Sequence, residues 1–511
     1  MSIPKRTSDG IYEVYIDGAW RRSTASLLHD SVCPAHKSRL LGKVSECTDA
    51  EVDEAMRTAR RDFMAWKAVS GNLKTKIFLH VAHLLSEHYD EIVATMTREM
   101  GKTLFDARLD LDEAIGVVEA VAPQGLSLKG ETYQTNVRGI VMESRPEPRG
   151  VAAIITPFNF PVAIPLAQVT AALVTGNTVV WKPSHLIPES SQVIVGVIAA
   201  SLDWARQRFH AELPSGILNM VTGDEQAGAA LIAHPAYKAL SFTGSKRVGD
   251  AVDAAASASG RRVMKEVGGI NCFYVHAAAD LPRAVDNFLY GKTITGGQRC
   301  TSIQEALIDD SVYDAFREAV IAGSAGIVQG DGASDELAEA DRAPGRYSLP
   351  PLVSAEQQER VLRLIDEAVR QGASVAHQIP VAPALAAEGF YAPFTLIENV
   401  GPGNILHDTE IFGPVGVLTR VCGLREAIEI INDKIGIVAC IDSRDKDATE
   451  TFLQDVLRTR IDDGRHGTGA FWATKFGGDR GAGSGNPALD ENMAYAYCLW
   501  KTIYRAYHPL P

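Results

Sequence analysis

From Val151 onward the chain breaks into short β-branched runs separated by stretches with helical spacing: residues 151–155, 178–181, 217–221 and 239–242. Strands that alternate with helices must cross over before they pair again, and this predicts a parallel, doubly wound α/β sheet. A nucleotide is expected beyond the carboxyl ends of such strands. A second alternating stretch begins near Arg262, with strands at 272–275 and 306–308 and helices near 281–294, 311–322 and 354–372. It predicts a second α/β domain. Ahead of both lie three helix-like stretches starting at Ala50, Gly71 and Phe105, with apolar residues three and four apart. The segment from Gly323 to Pro351, rich in Gly, Ala, Asp and Pro, reads as a surface loop.

A chain of 511 residues is long for one hydrophobic core, so two or three domains are expected. Its formal net charge of −13 opposes a nucleic-acid footprint, which needs a concentrated basic face. Met1 to Arg6 lacks the apolar core of a signal peptide. The best apolar run, Val193 to Leu202, ends at Asp203, short of the roughly 20 residues that cross a bilayer, and reads as a packed helix. The seven cysteines (33, 47, 272, 300, 422, 440 and 498) are odd in number and contain no CxxC pair. Neither a disulfide framework nor a metal site is indicated, and a reducing cytoplasm is the expected location.

One cysteine stands apart. Cys300 lies in Gly296-Gly297-Gln298-Arg299-Cys300-Thr301-Ser302, and Glu266 of Lys265-Glu266-Val267-Gly268-Gly269 precedes it by 300 − 266 = 34 residues. A thiol beside small residues is open to a substrate carbon, and a carboxylate delivered by another segment can take its proton or activate water. Taken alone, Cys300 reads equally as a small buried apolar residue, and Glu266 as an ion-pairing neighbour of Lys265.

Further uncommon segments occur in a fixed order around this pair. They are Thr156-Pro157-Phe158-Asn159-Phe160-Pro161, Lys182-Pro183-Ser184, Phe242-Thr243-Gly244-Ser245, Glu410-Ile411-Phe412-Gly413-Pro414-Val415, and Phe476-Gly477-Gly478 continuing to Gly483. Together the set resembles the aldehyde dehydrogenase superfamily across almost the whole chain. The resemblance implies a modified Rossmann-type cofactor domain (1–127 and 148–260), a catalytic α/β domain (261–475), and a small β oligomerisation element (128–147 and 486–511). Strand-like pieces at 140–144 and 494–507 belong to that element and imply a homodimer or homotetramer; alternatively Tyr495, Tyr497, Trp500 and Tyr504 cover the chain's own core.

The resemblance also implies the chemistry. Cys300 attacks an aldehyde, Asn159 and the Cys300 amide hold the oxyanion, and Glu266 activates the water that releases the acid. Some acylating relatives lack that carboxylate and pass the acyl group to coenzyme A. The implied cofactor is NAD or NADP, with Thr156, Pro157 and Phe158 beside it, Lys182 and Ser184 near the adenosine ribose, Gly244 and Ser245 at the pyrophosphate, and Glu410 and Phe412 at the nicotinamide end. An ordinary GxGxxG fingerprint is absent. His185 stands where many relatives carry a glutamate, which removes a repulsion toward a 2′-phosphate and makes NADP acceptable. Phe158, Val267, Arg480 and Ala482 depart from the usual residues, and Arg299 is open to two readings, a contact for a substrate anion or a structural group.

Overall fold

A computed structural model of the chain describes residues 5–257, 260–471, 474–485 and 493–507. Two seven-stranded sheets dominate it. The first runs, across the sheet, Arg262–Val267, Tyr237–Gly244, Val151–Ile155, Thr178–Lys182, Leu218–Met220, Val14–Ile16 and Ala19–Arg21. Its first five strands are parallel, and the N-terminal hairpin closes one edge in antiparallel fashion. The central strands Val151–Ile155 and Thr178–Lys182 are buried at every position, as expected for strands covered on both faces. The helix Pro188–Phe209, which contains the run 193–202, packs beside them with its apolar residues buried.

The second sheet has the order Ser374–Ile379, Phe394–Glu398, Val415–Val421, Ile303–Asp309, Asn271–Val275, Val438–Asp442 and Arg460–Asp463. All neighbours are parallel except the first pair. A three-stranded antiparallel sheet of Cys498–Ala506, Ile140–Pro148 and Glu131–Tyr133 completes the main architecture.

Three local expectations change. The strand Arg262–Val267 pairs with Tyr237–Gly244 in the first sheet, because the crossover helix Lys246–Ser257 returns it there; the switch between sheets therefore follows Val267, not residue 260. Alternation of strand and helix cannot by itself say which sheet a strand joins. A fourth N-terminal helix, Tyr89–Met100, follows Gly71–Glu87 after a one-residue break at His88 and ends at Gly101, whose φ is +87°. The break is too short to interrupt the apolar periodicity. The 323–351 segment is no surface loop: strands Ile327–Gln329 and Tyr347–Leu349 pair in parallel around the helix Asp335–Ala340, and Tyr347 and Leu349 are buried. Its Gly, Asp and Pro mark the turns between these elements.

In the three-stranded sheet, Tyr497 is buried in the chain's own core, whereas Trp500 and Tyr504 are 53% and 69% exposed. Self-coverage thus accounts for Tyr497 alone of these three. Residues 1–4, 486–492 and 508–511, which carry part of the N-terminal reading and of the oligomerisation element, lie outside the described residues.

Candidate active site

The carboxyl ends of the first sheet set the stage. Register pairs Ile155 with both Phe242 and Lys182, and Thr243 with Glu266, so the segments after these strands emerge side by side. Together with loops from the second sheet they line a cavity of about 1040 Å³. Pro157, Phe158, Asn159, Gly244, Ser245, Glu266, Cys300, Glu410 and Phe412 all reach this cavity. Thr156, Lys182, Ser184 and His185 do not line it.

The Cys300 loop is held in an uncommon backbone shape. Thr295, Gly296 and Gly297 have successive φ values of +58°, +64° and +72°. Glycine adopts these at little cost, and a Cβ on Gly297 would run into the Gly413 carbonyl. Thr295 is β-branched and pays a steric penalty there. Its hydroxyl explains why it stays: it donates to Asp106 and accepts from Arg299 Nε at 2.7 Å. The Arg299 guanidinium is ion-paired with Asp106 and lies 5.0 Å over the Phe160 ring. Arg299 is 3% exposed and does not reach the cavity. The side chain therefore serves structure, and a contact with a substrate anion is not available to it.

Two amides tie the same loop from other directions. Asn159 Nδ2 donates to the Gln298 carbonyl at 3.0 Å, bringing the proposed oxyanion donor beside the nucleophile's segment. Asn271 Nδ2 donates to the Cys300 and Ser302 carbonyls at 2.7 and 3.0 Å, while its Oδ1 accepts from the Ile437 and Val438 amides. Gln298 Oε1 in turn accepts from the Val353 amide at 3.1 Å.

Cys300 itself is half-buried, and burial with the Glu410 and Glu266 carboxylates pushes its thiol up to about 12, partly opposed by Arg299. The resting sulfur is a thiol that needs a base. Glu266 is buried; its Oε2 accepts from the Gly478 amide at 2.5 Å and its Oε1 has no partner among the described residues. Burial raises it well above the ordinary carboxyl range, which makes its ionised form a stronger base. The Phe476–Gly483 stretch supplies that Gly478 amide, because Val267 donates to Ala482 and Ser484 donates to Lys265 across a short backbone contact. Glu410 is half-buried, and its partial burial raises its carboxyl to about 7, with Arg360 opposing. Gly268 faces it so closely that a Cβ would collide with its carboxylate.

Residues 20–503 match the model of the aldehyde dehydrogenase family. The chain belongs to the aldehyde dehydrogenase family. It is 28% identical over 501 residues to the α-ketoglutaric semialdehyde dehydrogenase of Bacillus subtilis, covering 98% of this chain and 99% of that one. It is 31% identical over 424 residues to the acylating mitochondrial methylmalonate-semialdehyde/malonate-semialdehyde dehydrogenase of Mus musculus, covering 82% and 75% of the two chains. An apo betaine aldehyde dehydrogenase mutant from Staphylococcus aureus superposes with a TM-score of 0.89 at 25% identity, covering 98% of this chain and 96% of that one. This aldehyde dehydrogenase oxidises aldehydes to acids.

A dinucleotide fits the residues at the far end of the cavity. Ser245 and Lys246 line the cavity where the helix Lys246–Ser257 begins, and the first amides of a helix are ready donors to an anion. No side chain among the described residues donates to the Glu410 carboxylate, which leaves it free for ribose hydroxyls. The Phe158 and Phe412 rings meet edge to face, 6.0 Å apart, at this end. Phe412 has a φ of +55°, a strained conformation that turns its ring toward the cavity wall.

The cofactor residues that do not line the cavity form a separate group. Thr156 Oγ1 accepts from Trp181 Nε1 at 2.9 Å, and Lys182 Nζ donates to the Gly223 and Pro183 carbonyls. The Ser184 hydroxyl accepts from the Leu186 amide at 3.3 Å. His185 Nδ1 lies 3.4 Å from Asp224, and its ring is 4.9 Å from that of His29, which contacts Glu46 at 2.7 Å. The His185 ring holds Asp224 down to about 2, so it is ionised. An anion thus stands beside the position from which the usual glutamate is missing. The sequence reading missed Asp224, as it missed Asp106, Asn271 and Gln298. Only a buried Asn at the start of a strand, Asn271, carried any signal, since an amide there must find partners.

Among the described residues no group of three or more His, Cys, Asp or Glu could hold a metal ion, and no helix is long and apolar enough to cross a membrane.

Proposed function

We propose that Cys300 is the nucleophile, Asn159 with the Cys300 amide the oxyanion site, and Glu266 the general base of an NAD(P)-dependent, non-acylating oxidation. The observation that carries this reading is the convergence of all three side chains on one cavity, with the Cys300 loop fastened by Thr295, Arg299 and Asn271. The Cys300 thiol passes its proton to solvent as the sulfur adds to the aldehyde carbon, forming a thiohemiacetal whose oxyanion meets the Asn159 amide and the Cys300 N–H. A bound nicotinamide supplies the acceptor for hydride, leaving a thioester on Cys300. Glu266 then deprotonates water, which displaces the sulfur and frees the acid. The unpartnered Glu266 Oε1 supports this hydrolytic role over transfer to coenzyme A.

Gly244, Ser245, Glu410 and Phe412 hold the cofactor in this reading, with Lys182 and Ser184 at its adenosine ribose. The Asp224 anion beside His185 opposes a 2′-phosphate, so NAD is the preferred cofactor and NADP a tolerated one. Exposed Trp500 and Tyr504 support a homo-oligomeric contact through the three-stranded sheet, and the free cysteines support a cytoplasmic location. Chain segments 1–127 and 148–267 form the cofactor domain, and 268–475 the catalytic one.

The test is formation of reduced cofactor, followed by absorbance with an aldehyde panel and NAD or NADP. Wild type should turn over and Cys300→Ala should lose about 10³-fold or more in kcat/KM. A Cys300→Ala protein as active as wild type would remove the assignment.

A further inference from the structure

The helix Leu104–Val121 turns three carboxylates, Asp106, Asp110 and Glu113, onto one face. The first two are fully buried and fully matched. Asp106 is paired with Arg299 and accepts from Thr295; Asp110 is 3.0 Å from Lys102 Nζ and accepts from the Ala163 amide at 2.9 Å. Those two cations are therefore committed. Glu113, one turn further on, is half-buried and lines the cavity that holds Cys300. It makes no hydrogen bond or ion pair among the described residues.

The cavity that Glu113 lines also presents the apolar side chains of Phe160, Ile164, Ala470 and Phe476. The charged groups that act on it are Asp110, Arg299, Lys102 and Arg460, and Arg460 is itself occupied by Asp462 and the Gly469 carbonyl. Burial and Asp110 push the Glu113 carboxyl up to about 7, the behaviour of an acid without a counter-ion. The arginines that do reach the cavity belong to its cofactor end: Arg247 follows Ser245, and Arg360, which donates to the Ile411 and Glu410 carbonyls, shares a helix with Arg363.

The geometry points to Glu113 as the specificity-determining residue: the aldehyde that fits this cavity carries a cationic group, such as an ammonium, which pairs with the Glu113 carboxylate while its carbonyl meets Cys300. An anionic semialdehyde finds a carboxylate where it needs a cation. This rests on the Cys300 reading above. The names of the relatives do not decide the matter, since they include both semialdehydes and betaine aldehyde.

The experiment compares kcat/KM for aminopropanal, its neutral isostere butanal, and succinic semialdehyde, in wild type and Glu113→Gln. Wild type should favour aminopropanal over butanal by about tenfold, the equivalent of one charge contact of ~1.4 kcal/mol, and should use succinic semialdehyde least. In Glu113→Gln the aminopropanal-to-butanal ratio should fall to near one, through KM. A wild-type preference for butanal or succinic semialdehyde, or a ratio unchanged by the substitution, overturns the inference. The wild-type ranking decides by itself if Glu113→Gln does not fold. Failure of all three aldehydes with a folded protein would instead sink the Cys300 reading.

Discussion

The buried cluster beside Phe160 and the Cys300 cavity follow opposite electrostatic rules. In the cluster, Lys102, Asp106, Asp110 and Arg299 are each buried and each matched, and both cations lie within 5.0 Å of the Phe160 ring centre. In the cavity, Glu113, Glu266 and Glu410 are raised by burial and have no cation of their own in hydrogen-bond contact. Leaving an ionisable group unmatched is costly, so the contrast marks where a ligand completes the site. The matched side fixes the shape of the Cys300 loop; the unmatched side does chemistry and selection. Substitutions on the matched side should therefore cost stability, and those on the unmatched side should cost activity while the fold survives.

The largest effect expected is on the unmatched side. Glu266→Gln should lower steady-state turnover by about 10²- to 10⁴-fold with little change in thermal midpoint, and stopped-flow measurement should retain a burst of reduced cofactor as the thioester accumulates. A parallel loss of burst and stability would erase the distinction. On the matched side, Asp106→Ala strands Arg299 and frees Thr295 from the interaction that offsets its left-handed backbone. It should cost about 3–5 kcal/mol in denaturant unfolding, and a protein as stable as wild type would contradict the account. A smaller effect sharpens the comparison at the cofactor end: Asp224→Asn should raise the NADP-to-NAD ratio of kcat/KM by about tenfold as one unit charge is removed, measured side by side with both cofactors.

The sequence made the unmatched side far more legible than the matched one. Cys300, Glu266, Asn159 and Glu410 sit in short segments whose order along the chain is itself the signal, and the structure brings all four to one cavity. Arg299 sits in the Cys300 motif, but its partner Asp106 lies 193 residues away and belongs to none; only the folded chain shows that the arginine is turned away from the cavity. The same holds for Asp224, which reverses the weight of the His185 argument from a separate loop. Strand periodicity located four strands of the first sheet and two of the second, but it could not place Arg262–Val267, since membership in a sheet is decided by a partner strand's backbone.

The most direct test of the central claim is the intact mass of Glu266→Gln mixed with a small aldehyde and NAD+, followed by peptide mapping. The account predicts a gain equal to the aldehyde less two hydrogens, located on the Cys300 peptide, with one equivalent of reduced cofactor per subunit. No adduct despite cofactor reduction, or an adduct on any of the other six cysteines, would contradict it.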